Sequence, residues 1–227
     1  MDEQSLAGGN TLGLVRVGDT VRRPAHDSSP YVRDVLLHLE KAEFAGSPRL
    51  LGEDEHGREI LTYIPGETVK DDAPVSDARL KSAARLIRAF HDATAGAPVA
   101  DGGEVVCHGD LGPHNTVFDG ELAIGLIDWD DELAPGTRLH DLGHAVWCFA
   151  NVADPGCAIA EQARRTALFC AAYGWDDPAA VLAEITARFE RTRDAHRAAG
   201  RTAAEAVFAD LASWMRARLP ELRAALR

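Results

Sequence analysis

Apolar and polar residues alternate through TLGLVRVGDTVRRP (11–24) about a Gly-Asp turn, the period-two pattern of a β-hairpin. The spacing then lengthens to that of a helix in SSPYVRDVLLHLEKAEF, with Ser29 as cap and Pro30 in the first turn. PRLLGEDEHGREILTYIPGE returns to strands near 49–52 and 59–64 around a polar, Gly-containing turn. The first portion therefore reads β-β-α-β-β. A Pro/Gly/Asp-rich stretch, IPGETVKDDAPVS (64–76), breaks the pattern. Beyond it SDARLKSAARLIRAFHDATAG is an amphipathic helix bounded by Ser76 and Gly96. EVVC (104–107) reads as a buried strand, and TVFDGELAIGLIDWDDE as a strand, a D-G turn and a second strand. Helices are expected over roughly 139–151, 157–173, 178–198 and 203–226.

This order predicts an α+β fold of two lobes: a small β-rich lobe over 1–66, and a larger, mainly helical lobe over 67–227 carrying one short hairpin. A cleft between two lobes is a common place for a small-molecule site. The 227 residues suffice for a genuine core. A net charge of −12 argues against a sequence-independent grip on nucleic acid or an anionic membrane. An acidic surface suits solubility first and a cationic substrate second. No apolar run approaches a bilayer span, and the acidic MDEQSLAGGN start has no basic region followed by an apolar core. Cys107, Cys148, Cys157 and Cys170 show neither C-x-x-C spacing nor disulfide-rich density, so a cytoplasmic protein with reduced thiols is expected.

The chemistry gathers in CHGDLGPHN (107–115), where Gly109, Gly112 and Pro113 interrupt regular structure and several polar side chains share one loop. A hairpin brings its second strand back beside its first, so Asn115 and Asp128 can meet at one end of it. A carboxylate plus an amide oxygen is a donor set that Mg²⁺ accepts alongside phosphate oxygens and water. Asp110 then stands nearby as a carboxylate able to receive a proton from an attacking hydroxyl.

HGDLGPHN matches H-G-D-x-x-x-x-N and resembles the catalytic loop of the aminoglycoside phosphotransferase and choline kinase-like families, which share the protein-kinase-like fold. LIDWDDELAPGTRLHDLGHAVW (126–147) resembles the metal-binding segment that follows in those families. The resemblance extends over the chain in element order and is strongest from 104 to 147. It implies that Asp110 is the catalytic base, that Asn115 and Asp128 hold Mg²⁺ against the nucleotide, and that Asp130 is a secondary candidate. It further implies that His108 braces the loop and that Arg138 and Asp141 form a structural ion pair. ILTYIPGE matches the hinge, where backbone groups near Thr62 and Ile64 would meet the adenine edge.

The small lobe departs from that pattern. About ten residues precede the first clear strand, so a full first strand barely fits, and AGGNT offers at most a shortened phosphate loop. At the place of the family's phosphate-binding Lys the strand has Arg23, and the helix that should supply a Glu partner offers Asp34. Of the tryptophans, Trp129 alone is placed to border a substrate. The reading implied is an ATP- or GTP-dependent phosphotransferase, with Mg²⁺, acting on a hydroxyl of a small molecule, cationic ones included, as a monomer or homodimer without nucleic-acid or membrane partners. The alternative is a catalytically weak or inactive immunity or resistance protein that binds a small molecule or toxin on the same scaffold.

Overall fold

A computed structural model describes residues 3–5, 13–69 and 73–226. Its first portion is the expected β-β-α-β-β unit preceded by one short strand: β1 (Gln4–Ser5), β2 (Val15–Val17), β3 (Thr20–Pro24), α1 (Ser29–Lys41), β4 (Leu50–Glu53) and β5 (Arg58–Thr62). The strands form one antiparallel sheet in the order β1-β2-β3-β5-β4. A first strand does fit, but only as two residues, Gln4 and Ser5 against Arg16 and Val15. The AGGNT stretch (7–11) lies outside the described residues. Residues of α1 at helical spacing, Val32, Val35, Leu36 and Leu39, are buried. At the end of β5 the chain passes through Gly66 into an antiparallel bridge between Glu67 and Phe118.

The larger lobe is built round α2 (Asp77–Thr94), capped by the Ser76 hydroxyl, which accepts from the Arg79 amide at 3.1 Å. Its Leu80, Ala84, Ile87 and Phe90 enter one continuous core with Phe118, Leu126, Val146, Phe149, Phe169 and Phe189. The hairpin of β7 (Thr116–Asp119) and β8 (Leu122–Leu126) turns at Gly120, whose φ of +55° suits a D-G turn. The strand expected at 104–107 is β6 (Val105–Cys107), and its partner was not foreseen: β9 (Ala134–Gly136) runs antiparallel to it. Pro135 obscures β9 in the sequence but is tolerated on a three-residue edge strand. Four helices complete the lobe: α3 (Arg138–Phe149), α4 (Ile159–Tyr173), α5 (Pro178–Ala198) and α6 (Thr202–Ala225). Their ends fall within two residues of the periodicity-based expectation. Among the described residues no helix is long and apolar enough to cross a membrane.

Candidate active site

The loop between β6 and β7 holds Asp110 and Asn115 at the open end of the hairpin, and the chain leaving β8 holds Asp128 there. The Ile127 amide donates to the Asn115 carbonyl at 3.0 Å, which fixes the two limbs side by side. Asn115 is buried, and its Nδ2 donates both to the Asp110 carbonyl (3.0 Å) and to Asp110 Oδ2 (2.9 Å). Its Oδ1 therefore remains as the acceptor end of the amide. His114 Nε2 donates to the same Asp110 Oδ2 at 3.3 Å. Burial works against ionisation of Asp110, but the hydrogen bond from His114 and the fields of His144 and His108 outweigh it and hold the carboxyl at about 2.

Asp128 differs. No hydrogen bond or ion pair reaches its carboxylate from the described residues, and burial, then the charges of Asp130 and Asp110, push its pKa up. It also sits in the left-handed region at φ +66°, a conformation that Asp and Asn tolerate better than most side chains and that recurs at functional sites. Among the described residues no three His, Cys, Asp or Glu side chains converge as a metal cage. The donor set is instead one under-compensated carboxylate and one amide oxygen, which suits a cation that takes its remaining ligands from phosphate and water.

Below the loop lies Asp141 of α3, with no exposed surface. Its Oδ1 accepts from the Gly109 amide (2.9 Å) and its Oδ2 from the His108 amide (2.9 Å) and His91 Nε2 (3.0 Å). Burial opposes the charge, yet these donors and the fields of His91 and His108 hold the carboxyl at about 2. His91 in turn accepts at Nδ1 from the Tyr173 hydroxyl at 2.8 Å. The expected Arg138–Asp141 pair is absent: Arg138 goes to Asp92 (2.7 Å) and Glu104 (3.1 Å), and Asp141 is partnered by His91. The reason is depth, because Asp141 faces inward toward α2 while Arg138 opens the first turn of α3 at the rim. His108 braces the loop as expected, donating from Nε2 to the Ile127 carbonyl at 3.0 Å.

The small lobe contributes Arg23, and here the expectation changes. Its Nε and Nη2 donate to Glu59 Oε2 at 3.0 and 2.7 Å, and its Nη1 donates to the Trp129 carbonyl, one residue past Asp128. The carboxylate partner comes from β5 and not from α1, so Asp34 is not the counterpart. Helix α1 supplies a second cation, Arg33, whose Nε donates to Glu59 Oε1 at 2.8 Å. Register explains this: Arg23 stands directly opposite Glu59 in the β3–β5 ladder, and both point inward. The guanidinium expected at the nucleotide phosphates is thus committed to tying the sheet to the chain that follows Asp128. Trp129 is likewise not a substrate border. It is 1% exposed, edge-on to Phe90 with ring centroids 5.2 Å apart, and its Nε1 donates to the Leu126 carbonyl.

At the end of β5 the Thr62 amide donates to the Arg49 carbonyl (2.9 Å), and its hydroxyl accepts from the Arg49 amide (2.8 Å). Ile64 packs onto β8 where Gly125 leaves room, since a Cβ there would lie 2.7 Å from Ile64 Cδ1.

A small antiparallel sheet with one helix, a helical lobe, and a loop–hairpin site that gathers Asp110, Asn115 and Asp128 define a two-lobed kinase-like fold. The solved structures agree in fold. The GDP complex of wild-type aminoglycoside 2'-phosphotransferase-IIIa aligns over 96% of this chain and 93% of that one, with a TM-score of 0.66 at 14% identity. A Plasmodium vivax ethanolamine kinase gives 0.67 over 99% and 84%, at 13% identity. The model of the phosphotransferase enzyme family matches residues 94–181 of this chain, the span that holds Asp110, Asn115 and Asp128. Among curated proteins it is 35% identical over 174 residues to a trifolitoxin immunity protein of Rhizobium leguminosarum bv. trifolii, covering 69% of this chain. The chain spans 66% of that relative's length.

Proposed function

We propose that the protein transfers the γ-phosphoryl group of ATP or GTP to a hydroxyl of a small molecule. The observation that carries this reading is the convergence of Asp110, Asn115 and Asp128 at one end of the β7–β8 hairpin. Phosphoryl transfer asks a protein chiefly for alignment, charge neutralisation and a proton acceptor. Asn115 Oδ1 and Asp128 would hold Mg²⁺, whose charge would offset that of the phosphate oxygens. Asp110 orients the acceptor hydroxyl and takes its proton as the new O–P bond forms. Its Oδ2 is occupied by Asn115 and His114, so Oδ1 is the oxygen assigned to that proton. The Thr62 carbonyl and the Ile64 backbone are assigned to the edge of the base, and Arg23 to holding the metal segment in place. The small lobe, over 1–66, is the nucleotide-binding unit in this reading, and 67–227 carries the chemistry.

The test separates binding from chemistry. Asp110→Asn keeps size and hydrogen bonding but removes the proton acceptor, so kcat falls by ~10²–10⁴ while stabilisation by Mg²⁺-ATP or Mg²⁺-GTP in a thermal-shift series is retained. Unchanged kcat in Asp110→Asn refutes the base assignment. A second reading, an immunity protein that binds a toxin without turnover, is favoured by the name of the Rhizobium relative. It predicts no thermal shift with either nucleotide at millimolar concentration.

A further inference from the structure

The loop's own hydrogen bonds place a second histidine against the base. His144, on α3, is almost entirely buried. Its Nδ1 lies 2.6 Å from the Gly109 carbonyl, and its Nε2 lies 3.5 Å from Asp110 Oδ1. A carbonyl oxygen can only accept, so Nδ1 carries the hydrogen. In the neutral ring Nε2 then presents a lone pair to Asp110. Burial and the Arg188 guanidinium, which also donates to the Gly109 carbonyl at 2.8 Å, push the ring's pKa down to about 4. The charged groups around the ring are Asp110 of the loop, Arg188 of α5 and Asp141 of α3 itself, with Trp147 packed 5.3 Å from it. Two acceptors thus face each other across 3.5 Å with no hydrogen between them. Such a pair is complete only when a proton arrives, and phosphoryl transfer delivers one to that place.

We propose that His144 is a positioning residue for the reaction: its Nε2 lone pair faces Asp110 Oδ1 and receives the acceptor proton from it. In the step, the acceptor O–H bond breaks as its oxygen bonds to the γ-phosphorus and the β–γ bridging P–O bond breaks. The proton passes to Asp110 Oδ1 and on to His144 Nε2. The carboxylate is regenerated, and the imidazolium, held near Arg188, sheds the proton to solvent. The inference rests on the phosphotransferase reading above, and two measurements separate their fates.

Long-range ¹H–¹⁵N correlation on the full chain at pH 7, with His144 assigned by the signal missing from His144→Asn, is expected to show a protonated Nδ1 and a bare Nε2. A protonated Nε2 overturns the proposal whether or not the protein turns over. His144→Asn keeps a donor for the Gly109 carbonyl but loses the atom facing Asp110. With Mg²⁺-ATP or Mg²⁺-GTP and water as phosphoryl acceptor, its kcat is expected to fall roughly tenfold, below the full general-base contribution, with the KM for nucleotide unchanged. His144→Phe, which preserves ring volume, should lose at least as much. Wild-type kcat in either folded variant overturns this inference alone. Absence of nucleotide hydrolysis by the unaltered chain overturns it together with the reading on which it rests.

Discussion

Replacing Asp141 by Asn tests whether the 107–115 loop is held from below by one buried charge. In the wild type three donors converge on its two oxygens, the Gly109 amide on Oδ1 and the His108 amide and His91 on Oδ2. Asn best keeps its oxygen where two donors meet, which turns its NH₂ toward the Gly109 amide. Two facing donors are then unsatisfied, at about 1–3 kcal/mol each. A second figure comes from ionisation: a carboxyl held at about 2, against 3.8 for a free aspartate, favours the folded, charged form by roughly 2–3 kcal/mol. Both routes point to a loss of about 3 kcal/mol, or about 6–12 °C in Tm for a chain of this size. The pH dependence has a definite sign. The folded pKa is depressed, so the stabilisation is present above the unfolded value and disappears as pH falls through the folded one. The gap between wild type and Asp141→Asn should be full at pH 7 and should narrow between pH 4 and 2. Calorimetric melts across that range measure it. A Tm drop below about 2 °C at pH 7, or a gap that does not narrow in acid, would show that Asp141 does not anchor the loop through its charge.

Asp128→Asn should act in the opposite direction on the free protein. Removing a carboxylate that burial and two neighbouring acids disfavour leaves Tm equal or higher, while stabilisation by Mg²⁺-nucleotide disappears; a lower Tm without ligand would contradict the geometry. Arg23→Met strands the fully buried Glu59 with Arg33 as its remaining cation, at a cost of about 3–5 kcal/mol in urea denaturation. Arg23→Lys should recover only part of it, because an ammonium cannot fork onto Glu59 and still reach the Trp129 carbonyl; a loss under about 1 kcal/mol for Arg23→Met would rule the strut out. His144 gives a second acid dependence: its pKa is about 4 in the fold against 6.5 as a free residue. The unfolded chain binds the proton first, so stability is full above pH 6.5 and declines toward pH 4 by roughly 3 kcal/mol. His144→Asn should flatten that part of the profile.

Local rules made most of the fold legible. Caps at Ser76, glycine at 96 and unbroken apolar periods located the helices, because those signals act within a few residues. The hairpin and its loop were legible for the same reason: His108, Asp110 and Asn115 lie within one short segment, and Asp128 returns by a simple turn. What escaped was set by register and depth. Glu59 reads as an ordinary charge in a strand, although its neighbours Leu61 and Ile60 alternate in and out and place it on the inward side. Only pairing with β3 shows that Arg23 stands opposite. Asp141 was visible as a carboxylate of the 126–147 segment, but the resemblance paired it with Arg138, whereas the actual partner, His91, comes from a helix fifty residues away. His144 was missed altogether. A histidine at that point of an amphipathic helix carries no signal until the loop's carbonyl is seen above it. The β6–β9 pairing was hidden because Pro135 argues against a strand.

The backbone at Asp128 narrows what this position can become. A left-handed φ of +66° admits glycine readily and Asn or Asp with little penalty. The proposed hold on Mg²⁺ asks for an ionised oxygen at that point, and so for Asp or Glu. Asp alone belongs to both sets. Substituting Glu keeps the charge and adds one methylene, which most comparisons of residue similarity would score as mild, but it asks a side chain unsuited to the conformation to hold it. Asn satisfies the conformation and loses the charge. Each single-step neighbour therefore fails for a different reason, one in the chain and the other in the chemistry, and the position has no conservative substitute.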